Sequence, residues 1–179
     1  GSDVYVGMTN LVTNLGVVGT DVTAVGTART APVACEYSTN KDKGIFGLGY
    51  ATPPTARVGM TNLVTNAGVV GTDVTAVATA KNGAAACDYG GDKGIFGYGE
   101  PGAVTAVTNL VSNAGVVAAD VTGVGTARRE LSACEYGGVN GLGIFGFGFY
   151  GSTKVGLTNL VSNAGVVATD VAAVGTARK

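Results

Sequence analysis

Three acidic residues occupy one position of a recurring phrase: Glu36, Asp88 and Glu135, each directly after a cysteine (Cys35, Cys87 and Cys134). Carboxylates gathered from equivalent strands could form a ring that holds a cation, because hard cations take several oxygen ligands. The favoured reading is plainer: pairing with Arg29, Lys81 or Arg128, or simple exposure. A second acidic set, Asp21, Asp73, Asp120 and Asp170, precedes the basic residues Arg29, Lys81, Arg128 and Arg178 by eight positions. It lacks the dense Asp/Asn/Gly spacing of a calcium loop, so structural duty in a strand or turn is expected. Asn10, Asn62, Asn109 and Asn159 are read in the same way. A buried Asn must be hydrogen-bonded, and tying down a neighbouring loop is its usual task.

Catalytic chemistry has few footholds. The chain has no His, which removes the commonest general base and metal ligand. It also lacks a Gly-x-Ser-x-Gly elbow, a phosphate-loop motif and a Cys-x-x-Cys pair. The expectation is a non-enzymatic protein with no cofactor and no metal. Binding is better served by three loops of differing length: Tyr50-Ala51-Thr52-Pro53-Pro54, Tyr98-Gly99-Glu100-Pro101 and Phe147-Gly148-Phe149-Tyr150. Aromatics beside Gly and acids can stack on sugar rings, and loops on rigid scaffolds often carry binding. Tyr50, Tyr98, Glu100, Phe147 and Tyr150 are therefore the candidate ligand-binding residues, with ordinary packing of an exposed hairpin as the competing account.

Bulk properties narrow the partners. A formal charge of −1 with scattered Lys and Arg offers no basic stripe for nucleic acid or an anionic membrane. No apolar run approaches the length of a membrane span, and no basic-then-apolar signal segment opens the chain. The cysteines are odd in number and follow Ala34, Ala86 and Ala133, which favours buried free thiols over a disulfide framework.

The elements that must position these residues come from a repeat. Thr-Asn-Leu-Val-[Thr/Ser]-Asn-[Leu/Ala]-Gly-Val-Val begins at Thr9, Thr61, Thr108 and Thr158. A period near 50 marks stacked or circular repeat folds, in which one unit cannot bury its own apolar face. From the first Asn of the phrase to the closing base is always 19 positions, and from that base to the Cys always six. By contrast, Phe46 to Asn62, Phe96 to Asn109 and Phe145 to Asn159 measure 16, 13 and 14. Rigid scaffold separates from variable loop.

Each unit reads as four short strands: Val33–Tyr37; Gly44–Gly49; a third such as Val155–Val161; and a fourth such as Val166–Val171. Asn14-Leu15-Gly16 and three Asn-Ala-Gly copies fit a tight hairpin between third and fourth. Gly and β-branched residues with no 3.6-residue stripe argue against helix. Val166, Ala168, Ala172 and Val174 fall on one face, Val167, Val171 and Ala173 on the other, so both faces are apolar and small. Such strands suit sheets covered on both sides, as in small sheets arranged radially around an axis.

Thr-Ala-Arg, then a small apolar strand ending in Tyr-Gly-Gly, then Gly-Ile-Phe-Gly-[Tyr/Phe]-Gly resembles the kelch-type propeller blade. The stretch from Arg128 to Gly148 is most similar to kelch-like repeats in structural proteins of tailed phages and environmental viruses. The resemblance implies a structural or recognition role, possible glycan or virion-protein partners and a virion setting. It departs from the family in lacking the outer-strand Trp, since the chain has none. The histidine ligands of kelch-type copper oxidases are also missing, so that activity does not come with the fold.

The expected fold is an all-β propeller of about four-stranded antiparallel blades, with a β-solenoid as the alternative. Residues 1–29 form a half blade, and 30–80, 81–128 and 129–179 form full ones. Four outer hairpins against three inner ones leave unpaired edges, which predicts a homo-oligomer closing into a ring, or one piece of a longer propeller. A lectin-like module with sites in the variable loops is the alternative function.

Overall fold

The structure is a computed structural model that describes residues 4–52 and 55–179; Pro53 and Pro54 of the first variable loop lie outside them. The chain is all-β. The second unit holds β1 (Arg29–Thr30), β2 (Val33–Tyr37), β3 (Lys43–Gly47), β4 (Tyr50–Ala51), β5 (Ala56–Arg57) and β6 (Thr61–Val64). The third holds β7 (Ala85–Tyr89), β8 (Lys93–Gly97) and β9 (Thr108–Val111). In the fourth are β10 (Ser132–Tyr136), β11 (Leu142–Gly146), β12 (Phe149–Tyr150), β13 (Thr153–Lys154) and β14 (Thr158–Val161). A 3-10 turn at Gly138–Asn140 is the one helical element among the described residues.

Each of these units is built on a three-stranded antiparallel sheet, in the orders β2-β3-β6, β7-β8-β9 and β10-β11-β14. The register repeats: Cys35 faces Ile45, Cys87 faces Ile95 and Cys134 faces Ile144. A fourth segment joins each sheet only at isolated bridges, Thr61 to Val74 and Val64 to Val70 in the second unit, with equivalents in the other two. The first unit consists of this outer hairpin alone, bridged at Thr9–Val22 and Val12–Val18. Its turn is the expected one. Gly16 N–H donates to Thr13 O at 2.9 Å, with a φ of +76° that glycine adopts without strain.

The sheets stack through their first strands, β2 beside β7 and β7 beside β10. Glycine makes that approach possible. A Cβ on Gly47 would lie 2.7 Å from the Phe96 ring, and one on Gly97 would lie 2.7 Å from the Phe145 ring. The Phe of each unit thus fills a notch in the unit before it, while Cys35 and Cys87 sit over Gly94 and Gly143 of the unit after. Further out, Leu11 packs on Gly68, Leu63 and Tyr37 on Gly115, and Leu110 and Tyr89 on Gly165. The two core clusters lie between adjacent sheets, one around Ile45 and Phe96, the other around Ile95 and Phe145. These four side chains are almost wholly buried, each contributing about 1.5–3 kcal/mol of apolar transfer.

Four expectations are corrected. The second strand stops at Gly47 rather than Gly49, because Leu48, Tyr98 and Phe147 turn into left-handed backbone (φ 59°, 63° and 64°). The third strand is shorter than expected, Thr158–Val161 in the fourth unit, and the fourth makes bridges rather than a ladder. Nor are both outer faces covered: Val166 is 64% exposed and Val174 98%. Neighbouring sheets approach most closely along their first strands, so the outer hairpins at the far edge gain less cover.

Candidate functional site

The polar side chains that the repeat places together are those at the junctions between units. Three of the closing bases, Arg29, Lys81 and Arg128, leave their own unit and enter the next. Arg29 Nη2 donates to Asn62 Oδ1 at 2.6 Å, Lys81 Nζ to Asn109 Oδ1 at 3.1 Å, and Arg128 Nη2 to Asn159 Oδ1 at 2.7 Å. Two residues earlier stands a threonine. The Thr27 N–H reaches Asp73 at 3.1 Å and its hydroxyl at 2.6 Å; Thr126 reaches Asp170 at 3.0 and 2.6 Å. Thr79 makes the same pair of bonds to Asp120. Each Asn then ties its own unit together. Asn62 Nδ2, for example, donates to Gly71 O at 3.1 Å and Asp73 Oδ1 at 2.8 Å.

This lattice explains both polar repeat sets. Asp73, Asp120 and Asp170 are the acceptors of the next-unit joint, and the asparagines link base to acid. Burial pushes the three carboxyls up, but the Thr and Asn hydrogen bonds outweigh it and hold them below the usual carboxylate value. Burial pulls the Lys81 ammonium down to about 8 against the opposing pull of Asp120. Burial also lowers Arg29, with Asp73 opposing. Sequence reasoning overlooked the threonines, although Thr-Ala-[Arg/Lys] closes every unit.

Tyr98 and Phe147 belong to this junction, not to a loop surface. Tyr98 is wholly buried, and its hydroxyl donates to Val124 O at 3.1 Å. The left-handed turn directs the ring under the closing base: Arg128 lies 4.3 Å above Tyr98 and Arg178 3.6 Å above Phe147. The turn costs about 1–2 kcal/mol at a non-glycine residue. It also frees the next amide, so that Gly49, Gly99 and Gly148 N–H donate to the carbonyls of Lys81, Arg128 and Arg178 at 3.0, 2.9 and 3.0 Å. The five candidate residues therefore split across different repeat positions. Tyr98 and Phe147 are equivalent to Leu48, whereas Tyr50 and Glu100 are equivalent to Phe149, opposite Thr30, Asn82 and Arg129.

On the loop face Glu100 is already engaged. Its carboxylate lies 3.1 Å from Arg57 and 2.6 Å from Arg129, one base from the second unit and one from the fourth. Arg129 and Lys179 also stand over the Phe149 ring at 5.7 and 5.3 Å. Tyr50 is half-buried in the β4–β5 hairpin. Tyr150, in the β12–β13 hairpin, is 53% exposed and is the candidate ring most open to solvent.

The first strands bring the Cys and acid set to one place. Cys35, Glu36, Cys87, Asp88, Cys134 and Glu135 line one cavity of about 460 Å³. The carboxylates do not pair with Arg29, Lys81 or Arg128, which are taken by the junctions. Instead Glu135 pairs with Lys41 at 2.6 Å, and Asp88 accepts the Glu36 N–H at 2.9 Å. Burial raises the Asp88 carboxyl, helped by Glu36 and Glu135 and opposed by the amide bond. Among the described residues no cluster of three or more acids or cysteines is arranged to hold a metal ion. All three thiols are free: Cys87 is buried, Cys35 half-buried and Cys134 exposed, against the expectation that all would be buried. Burial and neighbouring acids push Cys35 up strongly, and burial pushes Cys87 up to about 12.

No protein-family model matches the chain, and no curated protein sequence matches it.

Proposed function

We propose that this chain is a non-enzymatic, kelch-like propeller segment: a stiff scaffold that presents variable hairpins for structural assembly or recognition. A virion is the setting that the sequence resemblance implies. The observation that carries the radial arrangement is the ion pair between Lys41 of the second unit and Glu135 of the fourth, at 2.6 Å. Separate sheets packed face to face in a straight row would be roughly 10 Å apart, which would put two such units about 20 Å from each other. A pair across that gap supports first strands converging on an axis, as does the cavity lined by all three of them. The scaffold role draws support from the division of labour among side chains. Polar repeat residues are consumed in joints between units, while length varies in the hairpins β4–β5 and β12–β13, in the loop at 100–105 and in the turns at 38–42, 90–92 and 137–141.

A zero-length carbodiimide cross-link, located by peptide mass spectrometry, tests the geometry. Lys41–Glu135 should cross-link as readily as the control pair Lys179–Glu130, which lies 2.8 Å apart. Recovery of the control without the first would favour a solenoid. The presentation role predicts that replacing the β12–β13 turn residues Gly151-Ser152 by Asn-Gly leaves the thermal midpoint within about 2 °C of wild type. A glycan array probed with the wild-type chain and Tyr50→Ala and Tyr150→Ala variants then separates the lectin-like form of this role. Binding lost in both variants supports it; no binding at all leaves assembly as the role.

A further inference from the structure

The filled junctions use the same pairs of residues, and the chain carries the two halves of one more. On the outward side of the fourth unit stand Thr176 and Arg178, equivalents of Thr27 and Arg29, Thr79 and Lys81, Thr126 and Arg128. Arg178 meets no Asn among the described residues and rests on Phe147 at 3.6 Å. Leu160 and Tyr136, equivalents of Leu63 and Tyr37, are 40% and 39% exposed. A Cβ on Gly26 or Gly125 would strike the Asn and Asp of the following unit, yet one on Gly175 would meet nothing.

The first unit holds the complementary half. Asn10 Nδ2 donates to Gly19 O at 3.1 Å and Asp21 Oδ1 at 2.9 Å, the same preformed arrangement as Asn62 with Gly71 and Asp73. Among the described residues no donor reaches Asn10 Oδ1 or Asp21 Oδ2. Gly16 has nothing within 4 Å of its Cβ position, whereas Gly68, Gly115 and Gly165 are each covered by a leucine of the unit before.

We propose that the fourth unit of one copy docks head to tail on the first unit of a second copy. The Thr176 N–H and hydroxyl donate to Asp21 of the second copy, Arg178 donates to its Asn10 Oδ1, and Leu160 with Tyr136 covers its Gly16. The proposal rests on the stacked-scaffold reading above and names the partner of its open ends. A second copy fits better than the chain's own first unit. Within the chain the two halves do not meet: among the described residues Arg178 rests on Phe147 and reaches no Asn, and the Gly16 and Gly175 positions face nothing within 4 Å. The joint is heterologous, so repetition yields a ring if the rotation closes and a filament if it does not. Residues 4–28 contribute no first or second strand to this joint, so in an assembly of this chain Cys134 stays uncovered there.

Light scattering and native mass spectrometry of wild type, Asp21→Lys and Arg178→Ala test it. Wild type should assemble with rising concentration. Each variant should fold with an unchanged β spectrum but associate roughly tenfold or more weakly. Mixed together, the two should give one-to-one dimers and nothing larger, because each supplies one intact face. Thr176→Val is the second probe of the fourth-unit face should Arg178→Ala lose its fold, and it should weaken assembly in the same direction. Variants that still assemble alone would overturn the proposal, as would a wild-type chain that stays monomeric, or protection of Cys134 from thiol reagents on assembly. The Lys41–Glu135 cross-link in the same samples tells the two failures apart. Its absence sinks the radial reading of the scaffold, and its presence with indifferent variants sinks only the joint.

Discussion

Arg29 and Arg128 close the same phrase, yet their surroundings differ. Arg128 is wholly buried: Nη2 bonds Asn159, Nε bonds Phe147 O at 2.8 Å, and the guanidinium lies on the Tyr98 ring. Arg29 keeps its bond to Asn62, but among the described residues its buried Nε has no partner and no aromatic ring lies beneath it. The ring under Arg128 comes from the end of β8, in the unit that Arg128 leaves. Among the described residues no such strand precedes Arg29. A junction is therefore made from both sides, the acceptors coming from the unit entered and the platform from the unit left behind.

Breaking that comparison should give the largest effect. Arg128→Ala strands Asn159 and the Phe147 carbonyl and empties the space above Tyr98, costing about 3–5 kcal/mol in denaturant unfolding. Arg29→Ala, which loses the bonds to Asn62 and to the Thr27 carbonyl at a half-built joint, should cost about 1–2 kcal/mol. Equal losses would show that the ring platform contributes nothing.

Lys81 sharpens the comparison by adding a titration. Its proton is held with a pKa of about 8 in the fold but about 10.4 in the unfolded chain, so between those values the unfolded state binds more protons. Stability should therefore rise as pH climbs through that window, by roughly 2–3 kcal/mol relative to Lys81→Met. A flat wild-type-minus-Met difference from pH 7 to 10.5 would show that the ammonium is not desolvated.

The glycine notches allow a finer contrast. Gly97→Ala puts a methyl 2.7 Å from the Phe145 ring and should cost about 1–3 kcal/mol. The equivalent Gly146→Ala meets only Thr158 Cγ2 at 3.4 Å and should change stability by less than about 0.5 kcal/mol. The smallest effect is chemical. At pH 8 in native buffer Cys134 should react with a thiol reagent while Cys35 and Cys87 stay inert, because burial holds both of those thiols protonated. Rapid labelling of all three would mean that the junctions open.

The repeat alone specified the units, the strand Val33–Tyr37, the Asn-x-Gly hairpins and the all-β class, because turn chemistry and alternation are local properties. The same local cues placed Tyr98 and Phe147 on a loop. Nothing local distinguishes an aromatic that faces solvent from one turned inward by a left-handed residue. The asparagines were legible as hydrogen-bonded staples, since a buried amide has few other options. Their partners were not. Thr27 and Asp73 are 46 positions apart, and Lys41 and Glu135 are 94 apart. Sequence by itself thus determined what each unit is made of and which residues recur. Tertiary structure alone decided which recurring residues meet, because those contacts form between units and depend on how neighbouring sheets stack.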